Sequence, residues 1–374
     1  MRWLFWGAAI VIAYTYAGYA CWLWLRLLWR RRPVLRHPWT PRVSIVMVVR
    51  NEEETIEAKL RNLKGLDYPG ERCQIVIVSD GSTDRTEEIL RQYASDPQIQ
   101  VVLNQLAQGK ASGLNDGIAV AQGEIVVFTD VRQKIESSAV RLLLENFADD
   151  EVGCVSGELM LGDPSQGESA AGLGLYWRIE KQVRELESAS GSVVGATGAL
   201  YAAKRKLLTS IPPGTILDDV YIPMQVARQG KRVVFDDRAR AWDHPNLGRR
   251  REFARKVRTL SGNYQLLQLA PWLLSSQNPI RFEFVSHKLM RLAVPFALAL
   301  LLLTPVGLTG EFYRAVLILQ IAFYALSALA LSGGLKRGIL SRVADASGTF
   351  VLLNGAAMLA LVNFVIGRRT AWTR

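Results

Sequence analysis

Three apolar runs in the first third of the chain each end on residues able to do chemistry. VSIVMVV is followed by RNEEE, QIVIV by SDGSTD, and EIVVFT by DVRQ. Further on, ILDDV carries two adjacent acids, Asp218 and Asp219. Carboxylates at such positions can hold a cation, or take a proton from an attacking hydroxyl. The DVRQ turn is of mixed character. Asp130 can ligate a cation. Arg132, two residues on, cannot, but its guanidinium can pair bidentately with phosphate oxygens.

The elements that must position these residues follow from periodicity. VSIVMVV is continuous and β-branched, as a strand buried on both faces should be. TIEAKLRNL, STDRTEEILRQY and GKASGLNDGIAVA read as helices between strands, with Ser82, Thr83 or Asp84 capping the second. Strand–helix alternation predicts an α/β fold with a mainly parallel sheet and helices on both faces. In such sheets ligands bind beyond the carboxyl ends of the strands, so the three polar turns would share one edge. No Gly-x-Gly-x-x-Gly follows the first strand and no P-loop occurs, which disfavours a dinucleotide fold and a P-loop nucleotidase.

Composition narrows the class. The 374 residues include 45 basic and 34 acidic side chains, a net charge of +11. No zinc-finger or basic-zipper pattern points to nucleic acid, and basic flanks beside apolar spans favour membrane lipid as the anionic partner. Cys21, Cys73 and Cys154 form no Cys-x-x-Cys pair, which argues against a zinc site and a disulfide framework. The soluble part is expected in a reducing compartment.

Apolar mass is concentrated at the two ends. Residues 3–29 read as a transmembrane anchor, with Arg30, Arg31 and Arg32 on its cytoplasmic side. Residues 289–308, 315–331 and 347–366 read as three further spans. The loop bearing Lys336, Arg337 and Arg342 is expected on the cytoplasmic side, in agreement with the anchor; the basic tail GRRTAWTR is the discordant charge. The mix of Trp, Phe, Arg and Lys over 271–289 suits an interfacial segment or a linker. The expected organisation is an anchor at 1–29, a cytoplasmic domain at 42–248, basic and interfacial helices at 249–288, and three membrane helices at 289–367. The chain would then be a multi-pass protein of the inner (plasma) membrane.

Five stretches in order carry a resemblance: VSIVMVVRNEEETI, IVIVSDGSTDRTEEIL, GKASGLNDGIAVAQGEIVVFTD, TGALYAAKR and ILDDVYIPMQVARQGKRVVF. Together they resemble the successive motifs of family 2 glycosyltransferases, in the membrane-integrated branch similar to cellulose, hyaluronan and poly-N-acetylglucosamine synthases. The resemblance covers roughly residues 42–265. It implies a GT-A fold, a nucleotide-diphosphate sugar donor, a divalent metal such as Mg2+ or Mn2+, and inversion at the anomeric carbon.

It also implies roles for single residues. Asp219, the second acid of the pair with Asp218, matches the family's base; out of context the pair would only cap a helix. Asp80, with Gly81 permitting the turn, matches the acidic contact to the nucleoside, which Asn51 and Glu53 would help to hold. Lys110 matches a lysine close to the nucleotide. Asp130 is the first acid of the family's Asp-x-Asp and Arg132 replaces the second, so one metal ligand is exchanged for a positive charge, or Arg132 makes a structural salt bridge. His244 is a candidate replacement ligand. RREFARKVRTLSGNYQ falls where processive members carry Gln-x-x-Arg-Trp, and reads Arg255-x-x-Arg258-Thr259 here. The arginines would bind the diphosphate; the missing Trp argues against processive polymerisation.

The expectation is therefore a membrane-bound inverting glycosyltransferase of hexosyl type. It would use a UDP-sugar and a lipid-linked or glycan acceptor, with metal dependence weakened by the altered Asp-x-Asp. The alternatives are a processive polysaccharide synthase and a non-catalytic nucleotide-binding or scaffold subunit. The charge pattern makes one direct prediction. A cysteine introduced at Gly310 should react with an impermeant thiol reagent from outside the cell, and one at Arg337 should not; the reverse pattern would overturn the orientation.

Overall fold

Every residue of Val43–Val49 is buried in β1, an inner strand of the sheet. Its side chains alternate between two cores, as the period of two demands. Ile45 and Met47 pack with Leu60, Leu63 and Leu143 on one face. Val46 and Val48 pack with Leu114, Val220 and Met224 on the other. In this computed structural model, residues 1–162, 175–243, 249–332 and 339–367 are described. His244 and the Lys336 and Arg337 loop lie outside those residues, as do the side chains of Arg342, Leu175 and Trp177.

The other strands are β2 (Cys73–Asp80), β3 (Ile99–Asn104), β4 (Ile125–Phe128), β5 (Lys134–Ile135), β6 (Val152–Leu161), β7 (Tyr201–Lys204) and β8 (Arg232–Asp243), in the spatial order β3-β2-β1-β4-β7-β6-β8-β5. β1 pairs in parallel with β2 and β4, and β2 with β3. β7 then runs antiparallel to both β4 and β6, and two reversals in succession restore the original direction. β6 and β8 are parallel to each other. The strands ending at Val49, Asp80, Phe128 and Asp243 therefore deliver their carboxyl ends to one edge. The mainly parallel α/β sheet expected from the sequence is present, with β5 and β7 as the reversed members.

Among the described residues, four helices are long and apolar enough to cross a membrane: Arg2–Arg26, Arg281–Gly307, Glu311–Leu331 and Ala346–Val365. The second starts earlier than the apolar run implies. Arg281–Phe284, Val285–Leu289 and Met290–Leu303 follow one another as consecutive α, π and α turns of a single helix. Residues 271–289, read as an interfacial segment or a linker, pack on the domain. Ala270, Leu273 and Phe284 are fully buried in the domain's second core, where enclosing a Phe side chain contributes roughly 1.5–3 kcal/mol.

Polar contacts tie the domain to these helices. The apolar stripe Ile179, Val183 and Leu186 of helix Leu175–Ser190 packs on Tyr19 and Leu23, as its spacing implies. One residue over, Glu187 Oε1 accepts from the Tyr19 hydroxyl at 2.7 Å and lies 2.8 Å from His287 Nδ1. Glu180 meets His287 Nε2 at 3.0 Å and Arg291 at 2.7 Å. Burial would raise the Glu180 pKa, but the charges of Arg291, His287 and Lys288 hold it well below the usual carboxylate range.

Helix Arg249–Leu269 grips the loop leading into Asp218. Gln265 Oε1 accepts from Ile216 N at 2.9 Å, and its Nε2 donates to Gly214 O at 2.8 Å. Gly262 permits the approach, because a Cβ there would sit 2.6 Å from Leu217 Cγ. Gly262→Ala should therefore destabilise the protein by about 1–3 kcal/mol through overpacking. Thermal unfolding in detergent tests this, and an unchanged midpoint would show that the loop yields freely.

Candidate active site

The site is built around the ammonium of Lys110. Asp80, at the end of β2, is fully buried and accepts from Gln108 N at 2.7 Å and Gly109 N at 2.9 Å. Those bonds fix the start of helix Lys110–Val120. Lys110 Nζ then reaches Asp130 Oδ1 at 3.0 Å and Asp218 Oδ2 at 3.1 Å. Burial works against its charge, but Asp130, Asp218 and Asp219 together hold the ammonium well above its ordinary range.

Asp219 lies beside this pair. Its backbone carbonyl accepts from Ala196 N at 2.7 Å, which ties it to the loop before β7. Gly198 in that loop leaves a gap between two carboxylates. A Cβ there would stand 3.4 Å from Asp219 Oδ2 and 3.6 Å from Asp130 Oδ2. Burial, then the charge of Asp218, raises the Asp219 carboxyl to about 6, against the pull of Lys110. Burial raises Asp218 as well, and Lys110 opposes it. Behind Asp130, the buried Lys59 donates to Thr129 Oγ1 at 2.9 Å and Gln133 O at 2.6 Å. Burial lowers Lys59 to about 7 despite the Asp130 charge.

The residues expected at the nucleoside are engaged with neighbouring turns. Asn51, at φ 54°, accepts through Oδ1 from Thr83 N at 2.8 Å. Glu53 Oε2 accepts from Arg85 N at 3.0 Å, and Asp84 Oδ2 accepts from Glu53 N at 3.1 Å. The turns after β1 and β2 are thus laced together, and both Asp80 oxygens hold backbone amides. Asp84, one of the three cap candidates, also accepts from Thr86 N at the start of the next helix at 3.0 Å.

Arg132 and Arg255 converge on a residue that the sequence reading did not single out. Asp243, at the end of β8, lies 3.6 Å from Arg132 Nη2 and 4.0 Å from Arg255 Nη1, and accepts from Gln133 Nε2 at 3.0 Å. The two arginine contacts are longer than hydrogen bonds, and both side chains remain about a third exposed. Arg258 is half-buried and has no hydrogen-bond or ion-pair partner among the described residues. Asp243 and Gly198 were missed because neither lies in an apolar run followed by a polar turn. Their one signal is position next to residues already of interest, His244 and Ala199-Leu200-Tyr201.

A divalent cation suits the charge here, since three carboxylates face one ammonium. No group of three or more His, Cys, Asp or Glu in ligating geometry occurs among the described residues. Gln133 Oε1, on the Asp130 turn, is buried without a hydrogen-bond partner. Asp130 and the Gln133 amide oxygen are thus the described groups on this turn that could help hold a cation.

Residues 44–211 match the family model described as glycosyl transferase family 2. The chain carries a family 2 glycosyltransferase domain. The acidic pair Asp218 and Asp219 falls just past the matched segment. Poly-beta-1,6-N-acetyl-D-glucosamine synthase of Staphylococcus epidermidis is 24% identical over 204 residues, 54% of this chain and 49% of that protein. Beta-monoglucosyldiacylglycerol synthase of a Synechocystis strain is 27% identical over 192 residues, 50% of this chain and 40% of that one. The chain thus spans about half the length of the curated relatives it matches. In structure it is similar to a mannosyltransferase from Pyrobaculum calidifontis, solved with GDP-Man and Mn2+. The TM-score is 0.75 at 24% identity, over 98% of this chain and 99% of that one. The fold of the domain is GT-A.

The Asp219 environment dictates a pH dependence. A carboxyl held at about 6 is a base only above that value. Below it, kcat/KM should fall about tenfold per pH unit, and above it should level off. Asp218→Asn removes a charge that raises Asp219, so the acid limb should move to lower pH. A limb that stays in place in this variant would mean that another group controls the profile.

Proposed function

We propose that the chain transfers a sugar, with inversion, from a nucleoside diphosphate sugar to a hydroxyl of a lipid-linked or glycan acceptor at the membrane surface. The observation that carries this reading is the juxtaposition of Asp219 and Asp130 across Gly198, with Lys110 behind both. Asp219 takes the proton from the acceptor hydroxyl as its oxygen attacks the anomeric carbon. The bond to the diphosphate breaks on the opposite face. Lys110, Arg132, Arg255 and Arg258 supply positive charge to the departing diphosphate. A divalent cation at Asp130, when bound, adds to that charge. Asp80 and the laced turns of Asn51 and Glu53 shape the nucleoside end.

The relatives named as synthases of an N-acetylglucosamine polymer and of a glucosyl lipid support a hexosyl donor, for which we take a UDP-sugar. The four apolar helices support a multi-pass protein in the inner membrane. The basic cluster at Arg30, Arg31 and Arg32 supports a cytoplasmic domain. With Thr259 in place of the tryptophan of processive members, single transfer is the better reading. The assembled acids and lysine disfavour a non-catalytic subunit, because gathering three carboxylates around one ammonium, with Asp218 buried, costs free energy that a scaffold has no reason to spend.

Nucleotide release from a panel of UDP- and GDP-sugars, with the protein in liposomes, is the test. A UDP-sugar should support release that depends on Mg2+ or Mn2+. Asp219→Asn should keep donor binding and lower transfer by about 10²–10⁴-fold. Arg132→Ala should lose roughly 1.5–3 kcal/mol of transition-state binding at saturating metal. Near wild-type transfer by Asp219→Asn would refute the base. An unchanged Arg132→Ala enzyme would leave Arg132 with only its contact to Asp243.

A further inference from the structure

A second basic site lies away from the carboxylates, where two membrane helices meet the domain. It is a cavity of about 150 Å³. Arg26, the last residue of helix Arg2–Arg26, forms one wall, and Glu283, in the first turn of Arg281–Gly307, forms another. The domain contributes Lys231 and Arg232, from the start of β8. Ala227, near the C-terminal end of helix Asp218–Arg228, also lines it. Ala227 is eight residues from Asp219, about 12 Å along the helix axis, so the cavity is separate from the site described above.

Its walls are fixed. Arg26 is buried, ion-paired with Glu283, and donates to Ser190 Oγ through Nη2 at 2.6 Å. Arg232 is 4% exposed and donates to Gly191 O at 3.0 Å, Arg32 O at 2.8 Å and Ser188 O at 3.1 Å. Lys231 donates to Asp150 O at 3.0 Å. Its charge is not balanced. Arg26, Arg30, Arg32, Lys231 and Arg232 line the cavity against two acids, Glu151 and Glu283. Arg30 is exposed, and its side chain has no hydrogen-bond or ion-pair partner among the described residues. Burial and the neighbouring charge of Arg32 weaken the hold of Arg232 on its proton.

Its level is set by the helices. Arg26 and Glu283 stand at the ends of two candidate spans, on the side of the domain. Trp22 packs edge-on against Trp29 and Phe282, and all three are exposed. Aromatic side chains of this kind gather at the headgroup layer of a bilayer.

We propose that this cavity binds the phosphate of an anionic phospholipid headgroup from the leaflet facing the domain. Arg30 supplies the mobile cation, and Lys231, Arg26 and Arg232 the fixed ones. The lipid would seat the domain against the bilayer at one place. The proposal does not rest on the transfer reaction.

The test is native mass spectrometry of the full chain in detergent, titrated with phosphatidylglycerol, phosphatidylcholine or sodium phosphate. The wild type should retain one phosphatidylglycerol in preference to phosphatidylcholine, and millimolar phosphate should not displace it. The double variant Arg30→Gln/Lys231→Gln should bind phosphatidylglycerol at least about tenfold more weakly, since each cation near an anionic headgroup is worth about fivefold. The variant Arg91→Gln/Lys206→Gln removes the same charge from exposed positions elsewhere and should bind as the wild type does. Thermal unfolding without lipid checks that the variants fold, and Arg30→Gln alone, at an exposed position, serves if the double variant does not. Equal retention of the two lipids, equal loss in both double variants, or displacement by free phosphate would each overturn the proposal.

Discussion

One ammonium between carboxylates is the constraint on which the rest of the site depends. Lys110 holds Asp130 and Asp218 within ion-pair distance, and Asp219 stands close enough to feel all three charges. Buried carboxylates are costly unless they are paired. A single cation cannot balance three of them, so burial and the charge of Asp218 push the proton affinity of Asp219 upward. The same imbalance that makes the cluster expensive gives it a carboxylate whose proton exchanges near neutral pH, and leaves room for more positive charge when a diphosphate arrives.

Holding that cluster in register requires elements far apart in sequence. Asp80 anchors the start of the Lys110 helix through two amides. β4 delivers Asp130. Helix Arg249–Leu269 grips the loop before Asp218 through Gln265 and Gly262. That helix also packs on the last membrane helix, where Val257 meets Ala356 and Ala360 and Tyr264 stacks on Phe364. The placement of the acidic pair is therefore coupled to the packing of the apolar helices. Glu180, Glu187 and His287 make a second connection of the same kind. Such connections restrain the site, where a small displacement of reacting groups would be costly in rate.

The comparisons divide the chain in the same way. The family model covers residues 44–211, and the curated relatives match about half of the chain. The structural likeness extends over nearly the whole chain, apolar helices included. The domain and its helices thus recur together in one architecture, as expected where the two are tied by buried polar contacts.

The amino-acid sequence by itself determined the strands and much of the site. The β-branched runs ending at Val49, Asp80 and Phe128 made the strands legible, because apolar period and length are local properties. Their polar ends named Asp80, Asp130 and Arg132, and the order of motifs added Lys110, Asp218 and Asp219. The apolar runs marked four candidate spans in the same way. Tertiary structure decided what local pattern does not encode. Asp243 reaches the same edge only because β7 reverses the sheet twice, so its meeting with Arg132 and Arg255 depends on strand order. The importance of Gly198 lies in what stands on either side of it. Whether Asp80 faces solvent or backbone amides is settled by the 108–109 loop. Residues 271–289 pack on the domain because Leu273 and Phe284 find a protein core there, and an apolar side chain carries no mark of which apolar environment will enclose it.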